Sequence, residues 1–315
     1  MSRIIPYVYR SDDEGTVLVR DGITLAYFMP PPLAATVDAV RTALDKYLLH
    51  VNPRTLRWAS VGADAEEFRP LTPKAIERSR AMLTPESARK RDLTAFKLQD
   101  GDTDGDAPTN GVFVIGNPLD AREPRESNLV QFCFPSSMIT SPESADSFVH
   151  LALELSAGLQ VRYGYASPAL QWAEVAESEA LLSARRHALR YPGFDVSFNE
   201  VTRSDLGGQT RGARWLTWLG PELVRAVGGM AKIGELAKLD IYAVEVEGAV
   251  LLRAGRVPEI GDRNRGIGTP RLDALASLLH PVTLFQEPAL LHSGFADDDP
   301  EVLERWELRF LATPG

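Results

Sequence analysis

The segment Asp240-Ile241-Tyr242-Ala243-Val244-Glu245-Val246-Glu247-Gly248-Ala249-Val250-Leu251-Leu252-Arg253 decides the fold class. Two runs suited to extended backbone flank Glu247-Gly248, a pair suited to a tight reversal, so the segment reads as an antiparallel hairpin. A second hairpin is predicted near the N-terminus, where residues 16–20 turn through Asp21-Gly22 into residues 23–28. Further strands are expected at 55–61, 112–115, 129–134, 159–165, 215–219 and 282–285, with 96–98 also strand-like. Hairpins mixed with helices indicate an α+β fold, a mainly antiparallel sheet with packed helices, and not a doubly wound nucleotide fold.

Prolines mark the expected helix starts. A hydroxyl or carboxylate precedes proline at Thr72-Pro73, Thr84-Pro85, Ser141-Pro142, Ser167-Pro168, Thr269-Pro270 and Asp299-Pro300. The first residue can accept from an orphan amide, and proline at the first helical position loses no hydrogen bond. Helices are therefore expected at 73–90 with a break near Thr84, and at 142–157, 168–185, 221–228, 270–279 and 300–306. The helix after Pro30-Pro31-Pro32 has the cleanest period. Leu33, Val37, Val40, Leu44, Tyr47, Leu48 and Val51 recur at three- and four-residue steps and form one apolar face. With no fixed repeat and no long linker, the expectation is one compact unit spanning residues 1–315.

Composition narrows the function classes. The chain carries a net charge of −9. Residues 1–150 hold 17 Lys/Arg against 21 Asp/Glu, and residues 151–315 hold 17 against 22, so neither half is basic. Direct binding to nucleic acid calls for a basic face and is not expected. An acidic surface suits a basic partner instead, as well as serving solubility. No apolar run approaches the roughly 20 residues of a membrane helix, and residues 1–6 lack a secretory h-region. Cys133, the single cysteine, lies in an apolar strand-like run and reads as a buried small hydrophobe in a reducing compartment.

Few motifs carry chemistry. Asp100, Asp102, Asp104 and Asp106, with Gly105, match the first six positions of a calcium loop, but position twelve is Gly111 where a bidentate glutamate belongs. A polar turn between strands is the simpler reading. The five histidines are dispersed, so no metal or cofactor is expected. No nucleophile elbow, Walker loop or dinucleotide fingerprint stands in a suitable context. Arg185-Arg186-His187-Ala188-Leu189-Arg190 reads as a helix C-terminus, and Asp297, Asp298, Asp299 and Glu301 read as a helix N-terminus. Both aspartate-rich clusters are also candidate faces for a basic partner. Trp215 and Trp218, three apart on a strand, are expected on opposite faces, with Trp218 a candidate interface anchor.

The last third holds an ordered series: Tyr191-Pro192-Gly193-Phe194-Asp195-Val196, then Gly212-Ala213-Arg214-Trp215-Leu216-Thr217-Trp218-Leu219-Gly220, then Val227-Gly228-Gly229. It continues through Gly255, Pro258, Gly261, Asp262 and Asn264 to Leu279-His280-Pro281-Val282. The series resembles the immunity proteins of bacterial type VI secretion that protect against VRR-NUC-type nuclease toxins. Residues 191–285 carry the resemblance best, and residues 22–28 resemble the family's opening strand. It implies a cytoplasmic antidote that binds a secreted restriction-endonuclease-like nuclease. In it the Gly261–Gly266 string is a fold element without catalytic role. A structural component of the secretion apparatus, and an enzyme with a convergent acidic site, are the competing classes.

Overall fold

The computed structural model describes residues 6–11, 15–62, 67–91, 93–117 and 125–311. Met1–Ile5, read above for a secretory signal, lie outside them. Among the described residues, eleven strands form one sheet: β1 (Val8–Arg10), β2 (Val17–Met29), β3 (Trp58–Val61), β4 (Arg69–Pro70), β5 (Thr94–Gln99), β6 (Gly111–Gly116), β7 (Asn128–Phe134), β8 (Tyr163–Trp172), β9 (Leu216–Leu219), β10 (Ile241–Val246) and β11 (Ala249–Ala254). Their order is β10-β11-β9-β8-β2-β7-β6-β5-β3-β4, with β1 also on β2. Every strand pairing in this sheet is antiparallel. The α+β expectation holds.

The β10–β11 hairpin forms with Val246 opposite Ala249 around Glu247-Gly248. The reading of Asp21-Gly22 as a turn is corrected: both lie inside β2, a 13-residue strand that runs straight through them. Gly22 answers to close packing. A Cβ there would sit 3.0 Å from the Phe134 carbonyl oxygen and 3.1 Å from Cγ of Gln171. Gln171 crosses above it, donating to Thr24 Oγ1 at 2.9 Å and accepting from the Cys133 thiol at 3.3 Å. Asp21 meanwhile accepts from the Tyr7 amide and from Ser136 Oγ.

Most proline-marked helices appear where expected. Thr72 and Thr84 cap Pro73–Met82 and Pro85–Lys90, separated at Leu83, and Ser141 forms a capping box with Ser144 at the head of Pro142–Ser156. Asp299 accepts from the Glu301 and Val302 amides to start Pro300–Glu307. Ser167-Pro168 is the exception: it lies in the middle of β8, and the helix follows at Glu177–Arg190. Pro168 faces away from β2, just past the end of β9, whose pairing with β8 stops at Ala166. Its missing N–H therefore removes no ladder bond, and its carbonyl accepts from the Asp195 amide at 2.8 Å. Residues 282–285 are not a strand either. Pro281 sits in a 3-10 turn, His280–Val282, and only Thr210 pairs with Thr283.

Both sheet faces are covered. One carries Leu25, Tyr27, Phe132, Trp218 and Leu251 and packs against the helices Val37–Val51 and Pro142–Ser156. The other carries Phe28, Leu129, Tyr163, Leu219 and Leu252, and Leu275 and Leu279 of Pro270–Leu279 belong to its core. Trp215 and Trp218 enter the same core, because β9 begins only at Leu216 and strand alternation does not reach Trp215.

His187 closes the core near the N-terminal strand, stacked on Tyr7 at 4.2 Å and near Tyr191 and Phe194. Burial holds its imidazole down at about 4, against an ordinary 6.5, with Asp21 opposing and Arg190 adding to the effect. The fold keeps this ring neutral, while the unfolded chain takes up a proton below about 6.5. Stability from this site is thus complete above pH 6.5 and is lost as pH falls from there toward 4. We expect His187→Phe to flatten the decline of urea midpoints across that window relative to the parent; identical slopes would refute this role.

Candidate functional site

The motif-bearing third builds a buried electrostatic centre. The backbone of Asp195 extends the edge of β8 beyond β9: the Asp195 amide donates to Pro168, and the Leu170 amide donates to Asp195. Its side chain, 0% exposed, accepts from Arg214 at 2.8 Å and Arg211 at 3.3 Å. Burial alone pushes this carboxyl up, but Arg214 and Arg211 outweigh it and hold the group at about 2. Arg211 also reaches Glu287 at 3.3 Å, the Tyr165 hydroxyl at 3.0 Å and Asn199 Oδ1 at 3.3 Å. Thr202 donates to the other oxygen of Glu287.

The remaining motif residues hold turns around this centre. Gly193 donates to the Ile260 carbonyl, and a Cβ at 193 would fall 2.0 Å from the Glu259 carbonyl oxygen, so only glycine fits. Pro192 accepts from Arg309. Trp215 Nε1 donates to the Gly255 carbonyl at 3.1 Å. Gly261 packs against Pro192 and Thr269. Asp262 accepts from the Asn264 amide and from Arg190 at 3.1 and 3.2 Å, and exchanges backbone bonds with Ile267. Leu216 lies in β9, and Pro258 is buried just before this turn.

The buried centre connects to an open cleft through one row of the sheet. Lys97, Phe113, Gln131, Ala26 and Tyr165 are successive register partners on β5, β6, β7, β2 and β8. Tyr165 and Gln131 both bond Asn199 in the short helix Asn199–Thr202. That helix forms one wall of a cleft of about 280 Å³ over β5–β8. The 3-10 turn Glu174–Ala176 and the aspartate loop supply the rest. Lys97, on the floor, contacts Glu174 at 2.7 Å and Glu200 at 2.8 Å and lies 4.9 Å above the Phe113 ring. Burial lowers its pKa, yet the two glutamates raise it further, so the ammonium stays charged. Each glutamate precedes an exposed valine: Val175 is 71% exposed and Val201 48%.

The candidate partner-binding residues from the sequence have divided placements. Asp106 is buried and takes the backbone amides of Val17, Asp102 and Thr103, and Asp100 takes the Thr109 backbone amide and the Asn110 side-chain amide. Asp106 presents no free surface, which corrects its candidacy. Asp102 is exposed beside Arg57, and Asp104 lines the cleft. Trp218 is fully buried against Tyr27, so it cannot anchor a partner. Asp297, Asp298, Asp299 and Glu301 are exposed, with Asp298 on His292 and Asp299 spent on its cap. Among the described residues no His/Cys/Asp/Glu group is arranged to hold a metal ion. The cleft's Glu174, Val175, Glu200 and Val201 were missed by sequence reasoning. Their Glu-Val pairs gave no signal, since the same pair recurs at Glu245-Val246 and Glu301-Val302.

The sequence profile described as type VI immunity for VRR-NUC, TsiV, matches residues 33–310. The chain belongs to the TsiV family. No curated protein matches it. Among solved structures, the Pseudomonas aeruginosa T6SS protein PA0821 is similar, with a TM-score of 0.76 and 17% identity over 96% of this chain and 84% of that one. At that identity the likeness is one of fold. The TsiV match extends well beyond residues 191–285, taking in the long helix, the aspartate loop and the cleft walls.

Removing the charge of Asp195 would leave Arg211 and Arg214 buried without their shared carboxylate. We expect Asp195→Asn to lower the unfolding free energy by about 3–5 kcal/mol, measured by urea denaturation. A loss below about 1 kcal/mol would show that the pair is not needed to hold the centre.

Proposed function

We propose that this chain is the antidote to a secreted VRR-NUC-type nuclease, which it binds directly and neutralises by covering the catalytic or DNA-binding face. The family match over residues 33–310 carries this reading. The geometry supports binding over catalysis. Among the described residues, the converging charged groups Asp195, Arg211, Arg214 and Glu287 are buried, and the pocket that Arg211, Arg214 and Glu287 help to line measures only about 30 Å³, room for little beyond water. The protein's excess of carboxylates supports a basic protein partner and opposes direct contact with DNA or RNA. Among the described residues no helix is long and apolar enough to cross a membrane. A nuclease does its damage where the chromosome lies, so we place the antidote in the cytoplasm.

The test is co-expression with the candidate partner, the product of the gene neighbouring this chain's own, assayed as a nuclease. Cells should survive, the two proteins should elute as one stoichiometric complex, and DNA cleavage in vitro should fall as the chain is titrated in. Continued killing, with the two proteins eluting apart, would sink the reading.

A further inference from the structure

We infer that the cleft between Glu174–Ala176 and Asn199–Thr202 is the docking surface for a basic, apolar-flanked segment of the nuclease. This rests on the function proposed above and adds where contact is made. Charge is the first argument. The cleft lining holds four exposed carboxylates, Asp104, Glu174, Glu177 and Glu200, against one ammonium, Lys97. A protein that grips DNA must present Lys and Arg to phosphate, and a cleft so charged attracts that face. Glu174 and Glu200 are only partly used by Lys97, with about half of each side chain still open to solvent.

Apolar surface is the second argument. Val175 and Val201 stand exposed at the cleft, and Phe113 and Phe198 lie within its lining. Apolar anchors inside a charged rim are the arrangement of a protein interface, in which the desolvated centre supplies affinity and the charges supply rate and orientation. The third argument is rigidity. Glu200 and Val201 ride on a helix whose Asn199 is fixed to Gln131 and Tyr165, while Lys97 ties Glu200 to Glu174 across the floor. Both walls are therefore set before a partner arrives, which limits the ordering cost of binding. The carboxylates at 297–301 lack this setting, since none of them lines the cleft.

The experiment uses the full chain and the same candidate partner, with affinity and association rate measured by surface plasmon resonance across a salt series. Val175→Arg with Val201→Arg should weaken the complex at least about thirty-fold, and Glu177→Lys should slow association most at low salt. Asp297→Asn with Asp298→Asn should leave both unchanged. All altered side chains are exposed, and an unchanged melting temperature checks that each variant is folded. If the parent binds and the cleft variants bind equally well, or if only the 297–298 variant weakens binding, the cleft is not the docking surface and the immunity role stands. If the parent itself fails to bind the nuclease, the role and the docking surface fall together.

Discussion

A buried carboxylate that must be neutralised governs the second half of this structure. Asp195 has no access to water, and an isolated charge in such a place is prohibitively costly, so its position is tenable only if Arg211 and Arg214 reach it. Meeting that demand draws the irregular segment between Thr202 and β9 down onto the sheet. Arg211 then carries the constraint outward to Glu287 and Asn199, and Asn199 carries it to Gln131. Side chains that never meet a partner thus set the position of Glu200 and Val201, which stand at the surface.

What the sequence made legible follows from how local each signal is. Proline after a capping residue located helix starts at Thr72, Thr84, Ser141 and Asp299 because the cap bonds to an amide two or three residues on, wholly inside the quoted string. The same signal failed at Ser167-Pro168 because the deciding fact was distant: β9 ends opposite Ala166, leaving a place in the sheet where proline costs nothing. Asp21-Gly22 failed similarly. Its glycine answers to the close approach of the Phe134 carbonyl and the Gln171 side chain, both more than 100 positions away in the chain, and not to a turn. Trp218 looked like a possible anchor because alternation was counted through Trp215, which precedes the strand.

The site was less legible than the fold for a related reason. Clusters of like charge are conspicuous in a sequence, but Asp100, Asp106 and Asp299 are drawn to their places by unpaired backbone amides. A carboxylate accepting two or three such bonds has little left to offer a partner. The groups with capacity to spare, Glu174 and Glu177 at one helix start and Glu200 in a separate short helix, come to one cleft only when the sheet is assembled. No spacing rule brings Lys97 to both Glu174 and Glu200.

Frame and rim are physically separable in this arrangement. Gly193, Asp195, Arg214 and Trp215 hold the interior, where a change of one side chain leaves a clash or an unpaired charge. Val175, Glu177 and Val201 contribute mainly to surface, where substitutions away from special features shift stability by about 0.5 kcal/mol or less. A binding surface placed on such residues can change its partner preference without endangering the fold beneath it. If the proposed docking surface lies at this rim, specificity would be adjusted there while the charge-paired centre holds the Asn199–Thr202 wall in place.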